Sequence, residues 1–424
     1  MKKLGFIEVI LYSIMIVIIF LFIAFNYSSK TILGGLLLVY NFYVMYKNRK
    51  NKKILFLFLA IFYFNYSFCI TKYIGPESDL LSTVYGQIRN EKTYIVGIIQ
   101  QIIFLFIIDL FISKYSDKIK ENKYENTTIE FKYRKVLIYI MNSFLIFTLL
   151  YHIANKITVN SSWFEYSIYI FILSLYFSKQ DKKLKIFTEL ILVAFSIYSL
   201  KNGDRIAVLQ FLITDFLINY INKLSIKQII LIMMGGIFAF TFLGLYGDIL
   251  DFGRDFEKLN VEYTIAKIKE RRFALDTSVS AYFSGLSIID LKDIFENTDR
   301  IMNGIEYFTR YTLLGTISAY KDPSVIVRDY QVNYGGAFLT TYFYYWFGKI
   351  GVILISCYVG YLLKKTMTSK TLYGYLLNIF IIATVPRWYM YIPTLLFRGI
   401  LIFNIIYFIV YMIFIKKRKA DFMI

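Results

Sequence analysis

The sequence has few of the side chains on which many catalytic and metal sites are built. Its 424 residues include one histidine, two cysteines and four prolines. Both cysteines, Cys69 and Cys357, lie in apolar segments, so we expect neither a disulfide framework nor a thiolate metal site. Acidic residues are also outnumbered, with 29 Asp and Glu against 48 Lys and Arg. The sequence therefore predicts no metal centre and no metal or organic cofactor.

Apolar and aromatic side chains are abundant. Hydrophobic residues make up 58% of the chain and aromatic residues 20%, with 39 Tyr and 41 Phe. A soluble domain could not bury that fraction, so the bilayer must be the solvent. The aromatic content suits rings at lipid interfaces or a groove that stacks on sugars. We interpret the net charge of +19 through membrane topology, and no nucleic-acid partner is predicted.

Apolar runs of about 15 to 23 residues, the length that spans a bilayer as a helix, recur along the chain. The first run, Leu4 to Phe25, is too long for a signal peptide, so we interpret it as a retained span. Nine spans fall in residues 1–247, and three spans with a cytoplasmic tail fall in residues 336–424. The twelve predicted spans are centred near Met15, Leu38, Ile61, Phe104, Phe144, Phe171, Ala194, Leu212, Ile237, Ser356, Phe380 and Ile405.

Basic residues concentrate in alternate loops, which sets the predicted orientation, because cytoplasmic loops carry an excess of Lys and Arg. Both termini then lie in the cytoplasm and the polar block at residues 248–335 lies outside. All four prolines fall in or beside the predicted outer loops. The basic loops are Lys47–Lys53, Lys114–Lys135, Lys179–Lys185, Lys223–Gln228 and Lys364–Lys370.

The polar block is patterned rather than random. Phe256–Ala274 and Ile288–Phe295 alternate apolar and charged residues at helical spacing, which predicts amphipathic helices on the membrane surface or capping a cavity. The predicted fold is therefore an all-α polytopic membrane protein of about twelve transmembrane helices with one large extracytoplasmic loop.

A short outer turn, Asn202-Gly203-Asp204-Arg205, could bind an anion. Arg205 would begin the next span, where the helix N-terminus favours negative charge and a guanidinium can fork onto phosphate oxygens. The alternative is a turn arginine that pairs with Asp204 or reaches lipid headgroups.

A second region combines arginines, glycines and aromatic residues. Arg328 precedes Asn333-Tyr334-Gly335-Gly336-Ala337-Phe338, and Tyr345-Trp346-Phe347-Gly348-Lys349-Ile350-Gly351 follows. A glycine hinge with interfacial aromatics would explain these residues equally well. Arg387 and Arg398 come later. Arg398 is predicted to lie more than a turn inside an apolar run, at a cost of about 2.5–3.5 kcal/mol, so it should face a cavity or an anion unless it extends to the headgroups.

The order of these motifs resembles the O-antigen polymerase family, the Wzy-type polymerases of oligosaccharide repeat units. That family is related to O-antigen ligases and to the glycosyltransferase C superfamily. The resemblance covers roughly Lys201 to the C-terminus, and the first half of the chain matches only in hydropathy. Many members have arginine followed by ten residues and glycine in their outer loops, whereas glycine follows Arg328 after six or seven residues.

The resemblance implies a glycosyltransferase in the plasma membrane of a bacterium that makes a surface polysaccharide. A glycan on undecaprenyl pyrophosphate would be the donor and a second lipid-linked repeat unit the acceptor, with a flippase and a chain-length regulator as possible partners. Several arginines, rather than a metal, would neutralise the leaving pyrophosphate. The candidate catalytic residues are Arg205, Arg328 and Asp276, and the candidate substrate-binding residues are Arg205, Arg272, Asn333, Tyr334, Arg387 and Arg398.

The general base and two competing functions stay open. His152 and Asp276 are weak candidates for the base. A glycosyltransferase that uses a polyprenyl-phosphate sugar would carry acidic residues in an early outer loop, where Glu77 and Asp79 lie. A flippase for lipid-linked oligosaccharides fits twelve spans but does not need a large insert on one side.

Overall fold

The structure is a computed structural model, and every regular element among its described residues is helical. The described residues are 30–71, 91–113, 124, 129, 131–155, 162–202, 204–236, 239, 262, 279–315, 322–327 and 336–415. Their helices are α1 Lys30–Lys47, α2 Lys52–Thr71, α3 Glu91–Ser113, α4 Arg134–Ala154, α5 Ser162–Ser178, α6 Lys182–Lys201, α7 Arg205–Asp215, α8 Ile226–Gly236, α9 Val279–Leu291, α10 Asn297–Glu306, α11 Pro323–Ile326, α12 Leu339–Met367, α13 Leu372–Ala383, α14 Val385–Met390 and α15 Arg398–Val410.

In the described part of the chain, three helices continue as π-helical turns, at Phe216–Tyr220, Tyr307–Tyr311 and Tyr411–Ile415. Among the described residues, five helical segments are long and apolar enough to cross a membrane, and four shorter apolar helices accompany them. The long ones are Lys52–Cys69, Lys92–Ile112, Arg134–Ala154, Leu339–Met367 and Pro393–Ile415. Several apolar helices of this kind are typical of a membrane protein.

Ten of the twelve predicted span centres lie within a described helix. Met15 and Ile237 lie outside the described residues, and Ile237 comes directly after α8 in the sequence. Helix ends carry local capping signals, since Asp181 accepts the N–H groups of Lys183 and Leu184 at the start of α6. The Leu184 N–H bond, with nearby Lys135, lowers the pKa of Asp181 below its ordinary value.

The chain divides into two compact units. The first unit contains the described parts of Met1–Asp117, Glu257–Lys364 and Arg387–Phe397. The second unit contains the described parts of Lys118–Phe256, Lys365–Pro386 and Arg398–Ile424. The predicted division at residues 247 and 335 follows the sequence, and in the structure parts of the block pack with early and late helices.

In the first unit, α9 from the predicted outer block packs against α2 and α3. Its described side chains from Ala281 to Ile289 are all buried. The Tyr282 hydroxyl donates to the Phe64 carbonyl at 3.1 Å, and the Thr93 hydroxyl donates to Asp290 at 2.9 Å. We expected an amphipathic helix near Ile288–Phe295, on the membrane surface or capping a cavity. In the structure, Ile288 and Ile289 are buried between helices, whereas Ile294 is 57% exposed.

Helix α10 and the π-helical turn after it have one packed side and one exposed side, although they lie outside the segments that we predicted to be amphipathic. Their inner side packs on α12, where a Cβ at Gly304 would come 2.9 Å from Trp346 and Phe347 atoms. The opposite side exposes apolar side chains, including Met302 and, in the short helix Thr312–Leu314 that follows the turn, Leu314. Phe256–Ala274 lies outside the described residues apart from Glu262.

In the second unit, α4, α5 and α6 are joined by buried polar side chains. The Asn142 amide donates to Thr188 at 3.0 Å, and the Ser174 hydroxyl donates to Asn142 at 2.7 Å. Aromatic rings fill the space beside α7, with centroid distances of 4.9 to 6.1 Å. These rings belong to Phe164, Phe171, Phe195 and Phe211.

Candidate functional site

Helix α12 turns sharply at Gly348, inside the motif Trp346–Gly351. Gly348 has φ 61° and ψ −150°, a conformation that glycine adopts far more readily than residues with a side chain. A Cβ at Gly351 would overlap the carbonyl oxygen of Phe343. Arg300 donates to the Tyr345 carbonyl at 3.1 Å, a carbonyl that the broken helix ladder leaves available. The motif therefore builds a tight turn, and the N-terminal part of α12 folds back towards the residues that follow Gly348.

A second close approach joins Gly336 to Tyr391. Gly336 has φ 80°, and a Cβ there would lie 2.8 Å from the Tyr391 ring. The Tyr391 carbonyl accepts the Ala337 N–H at 3.2 Å and the Tyr342 hydroxyl at 3.0 Å. Arg387 lies one turn earlier, because its carbonyl accepts the Tyr391 N–H at 2.9 Å. Two motifs that are far apart in sequence thus meet at Tyr391.

Phe338 anchors this junction in the first unit. Its ring lies 4.7 Å from the Phe68 ring and 5.4 Å from the Tyr282 ring. A Cβ at Gly285 would come 2.7 Å from the Phe338 ring, so glycine makes room for the aromatic side chain. The non-helical backbone at residues 336–338 is therefore fixed against α2 and α9.

A chain of buried amides and hydroxyls lies beside the junction. The Tyr389 hydroxyl is 2.7 Å from Asn65 Oδ1 and 2.8 Å from Gln101 Oε1. Gln101 donates to Thr340 at 2.9 Å, and Asn65 donates to Asn41 at 2.9 Å. All five side chains are buried. Burying a polar group among apolar helices costs free energy unless the group is hydrogen-bonded. These five side chains are hydrogen-bonded to one another, and their network links α1, α2, α3, α12 and α14.

A carboxylate, Asp322, stands at the edge of the same junction. It caps α11 by accepting the N–H of Ser324 at 2.8 Å and the Ser324 hydroxyl at 2.7 Å. Asp322 and Ser324 also lie within hydrogen-bonding range of the Tyr342 hydroxyl. Burial, followed by the nearby Asp322 carboxylate, raises the pKa of Tyr307 well above its ordinary value. The Tyr307 phenol therefore stays protonated, and Thr394 lies beside it.

Gln100 and Trp346, both in the first unit, bury N–H donors that have no hydrogen-bond acceptor among the described residues. The donors are the Gln100 amide and the Trp346 indole. Unpaired buried donors are rare in folded proteins and call for an explanation such as water or a ligand. Both residues adjoin the junction, since Gln100 precedes Gln101 and the Trp346 ring lies 5.7 Å from the Tyr342 ring.

Three of the predicted arginines can be located. Arg387 lies in the first unit, within α14. Arg205 and Arg398 belong to the second unit, and each is the first residue of its helix. Asp204 caps α7 by accepting the Ala207 N–H at 3.1 Å. The Arg398 guanidinium lies 5.5 Å from the centre of the Tyr166 ring.

Arg398 lies within the apolar segment Pro393–Ile415, one of the five long enough to cross a membrane. The α-helical part of that segment begins at Arg398, after the short 3₁₀ turn Pro393–Leu396. The sequence runs apolar through Pro393–Phe397, so the break was hidden from the hydropathy pattern. A guanidinium at a helix start can meet an anion that the helix dipole also favours.

The other predicted site residues, Arg272, Asp276, Arg328, Asn333 and Tyr334, lie outside the described residues, as do Glu77 and Asp79. His152 is buried, and its Nδ1 is 2.7 Å from the Thr148 carbonyl. The Tyr198 hydroxyl donates to the His152 carbonyl at 3.1 Å. His152 therefore packs within the helices of the second unit. Within the described ranges, no three His, Cys, Asp or Glu side chains are grouped to hold a metal ion.

Our reading of the sequence missed Asp322 and the buried amides. Asp322-Pro323-Ser324 has the signature of a helix start, with Asp at the N-cap and proline at the first helical position. Gln100-Gln101 interrupts an otherwise apolar run. That interruption could have marked a buried polar site, but its partners come from distant segments.

The chain matches no protein-family model, no curated protein and no solved structure.

Proposed function

We propose that this protein is a polysaccharide polymerase at the outer face of the bacterial plasma membrane. It joins oligosaccharide repeat units that are carried on undecaprenyl pyrophosphate. The reducing-end sugar of the growing glycan passes to the non-reducing end of an incoming unit, and undecaprenyl pyrophosphate leaves. A flippase that supplies units and a regulator of chain length are the proposed partners.

The observation that carries the proposal is the meeting of the glycine and aromatic motifs at Tyr391. Gly336, Tyr342 and Arg387 all connect to this residue through packing or backbone hydrogen bonds. Broken backbone inside a membrane protein is tolerated where it is buried in protein or lines a cavity, and substrate sites of transporters are built in this way. A site for a polar, lipid-linked substrate is consistent with this arrangement.

The chemistry requires positive charge at the leaving pyrophosphate. A guanidinium forms paired hydrogen bonds to phosphate oxygens and stays charged at any physiological pH. We assign this role to Arg387 and Arg328, and we keep Arg205 and Arg398 as pyrophosphate ligands on the strength of the sequence. Arg272, Asn333 and Tyr334 remain candidates for contact with the glycan.

The test is reconstitution of the purified protein in liposomes with one defined lipid-linked repeat unit. We expect a ladder of products that differ by one repeat. Arg387→Ala should abolish the ladder, whereas Arg310→Ala should leave it intact. Arg310 is the matched control because it is an exposed arginine of the same unit. A wild-type protein that returns only single units would contradict the proposed function.

A flippase for lipid-linked oligosaccharides is the second candidate. The buried chain from Asn41 through Tyr389 to Thr340 favours it, because polar residues inside membrane helices commonly mark transport pathways. The same liposomes distinguish the two functions. A flippase would move a fluorescent lipid-linked unit between leaflets without changing its length, and a polymerase would lengthen it.

A further inference from the structure

The apolar segment Pro393–Ile415 carries an amide at its midpoint. Asn404 is the middle residue of these 23 residues, and its side chain is exposed on the surface of the second unit. Its neighbours on that surface, Ile405 and Phe408, are 51% and 60% exposed. In a membrane, hydrocarbon would cover this surface, and hydrocarbon cannot form hydrogen bonds with an amide. Asparagine is also too short to reach the headgroups from the middle of a span.

The Asn404 amide has a partner at one end only. The Tyr373 hydroxyl donates to its carbonyl oxygen, whereas its amide nitrogen meets no acceptor within the part of the chain that the structure describes. Asn378 in α13, by contrast, donates to Thr366 at 3.1 Å. An amide donor without an acceptor is costly inside a bilayer. The position of Asn404 therefore calls for a partner that brings an acceptor to the middle of the membrane.

The apolar side chains around Asn404 have the spacing of a contact between two helices. The spacing alternates between four and three residues, which keeps one side of a helix against a neighbour, along Leu401, Ile405, Phe408 and Met412. Of the five long apolar segments among the described residues, this one is the least buried, at 28% against 39% to 78%. Side chains of a second helix would enter the groove of about 460 Å³ on this surface, which is lined by Tyr373, Asn404, Ile405, Tyr407, Phe408 and Tyr411.

We propose that α15 is the contact between two copies of this chain, which pair as a twofold-symmetric dimer in the membrane. In a twofold contact, a residue at the axis faces its own copy, and the asparagine amide is complementary to itself because it carries both a donor and an acceptor. The amide nitrogen of each Asn404 donates to the carbonyl oxygen of the other, which has a second lone pair beyond the Tyr373 bond. A lipid chain could also occupy the groove, but it offers the amide no acceptor. The dimer does not depend on what the protein catalyses.

The first test cross-links single cysteines in the full-length protein, reconstituted in liposomes in a background with Cys69→Ala and Cys357→Ala. With a membrane-permeable oxidant, Ile405→Cys or Phe408→Cys should form a disulfide-linked dimer. Leu190→Cys is the matched control, because Leu190 is 61% exposed on α6 of the same unit, and it should stay monomeric. Failure of both α15 variants to cross-link would overturn the proposal. Equal cross-linking by Leu190→Cys would also overturn it, because the disulfides would then report random collisions.

The second test replaces the amide and measures pairing by energy transfer between fluorescently labelled copies in liposomes. Asn404→Leu should weaken dimerisation about three- to tenfold, the effect of a hydrogen bond between membrane helices. Asn404→Gln, which keeps the donor and the acceptor, should restore most of the loss. The melting temperature at high lipid dilution, where copies are apart, should be that of the wild type for both variants. Wild-type pairing by Asn404→Leu would overturn the proposal, and so would a wild-type protein that stays monomeric and retains a lipid in the groove.

Discussion

The two units bury similar polar side chains in different ways. In the second unit, Asn142, Ser174 and Thr188 bond to one another between continuous helices. In the first unit, Gln101 and Tyr389 bond next to backbone that has left the helix, at residues 336–338 and 391–397. The first arrangement fastens helices together. The second adds polar groups where the backbone itself is irregular, which is where membrane proteins place substrates.

The aromatic residues show the same contrast. The ring cluster of the second unit is made of phenylalanine, which offers packing but no hydrogen bond. The junction of the first unit uses tyrosine and tryptophan, whose polar atoms reach Tyr391, Asn65 and Gln101 or stay without an acceptor among the described residues. The contrast is between these two clusters, since tyrosines elsewhere in the second unit also form hydrogen bonds, as Tyr198 does.

The largest expected effect is an all-or-none difference in labelling. In a background with Cys69→Ala and Cys357→Ala, Asp299→Cys in the first unit should react with a membrane-impermeant reagent added outside. Lys132→Cys in the second unit, an exposed position in a predicted cytoplasmic loop, should react only after permeabilisation. This follows from the alternation of basic loops.

Ser287→Cys sharpens the labelling test. Ser287 lies in the same predicted outer block as Asp299 but is 2% exposed within α9. It should react in neither condition, because the helix is buried between α2 and α3. The opposite labelling of Asp299→Cys and Lys132→Cys would show that the predicted topology is wrong. The proposed reaction at the outer face would then be wrong as well.

The next effect is loss of polymer on removal of an arginine. Arg205→Ala and Arg398→Ala should each lower elongation at least about 100-fold, comparable to removing a donor that stabilises developing charge. Lysine should restore little, since it cannot form the paired hydrogen bonds. Membrane levels of each variant provide the control. These residues belong to the second unit, so a full effect would show that catalysis is not confined to the first. Normal polymer from both variants would refute their assignment.

The sequence predicted helices well because an apolar run of sufficient length is a local signal. It offered a glycine hinge near Gly348 as one alternative but could not place the turn, since the apolar pattern continues through it from Leu339 to Met367. It also could not distinguish α9 covered by protein from an apolar stripe covered by lipid. The turn and the burial of α9 both depend on tertiary packing, which cannot be deduced from the spacing of hydrophobic residues.

The candidate site was predicted less completely than the helices. The glycine motifs were visible, and their need for glycine at positions 336, 348 and 351 is now explained by backbone conformation and close approach. The sequence did not point to Asp322 or Tyr389, because the contacts of each involve residues on other helices or hundreds of residues away. For Tyr389, those partners are Asn65 and Gln101.

A smaller difference between the two units is expected when a single tyrosine hydroxyl is removed from each. Tyr389→Phe in the first unit removes the group between Asn65 and Gln101, and leaving buried amides unpaired should cost about 1–3 kcal/mol. Elongation should also fall, because Gln101 holds Thr340 at the start of α12. Tyr198→Phe, which removes a bond to the His152 carbonyl in the second unit, should change stability slightly and elongation not at all. Equal loss of elongation from both would erase the proposed contrast.

The smallest expected effect is that of a chelator, which should have none. In the proposed mechanism, the charge on the leaving pyrophosphate is met by guanidinium groups, and those of Arg205 and Arg398 stand at helix starts where the helix dipole adds to them. Purified protein in liposomes should therefore elongate a lipid-linked repeat unit at the same rate in excess EDTA. A metal-dependent enzyme assayed in the same buffer verifies that chelation is complete. If EDTA stops elongation and Mg²⁺ or Mn²⁺ restores it, the hypothesis that arginines alone neutralise the pyrophosphate charge is wrong, whichever unit supplies them. Glu77 and Asp79 are then the first carboxylates to replace.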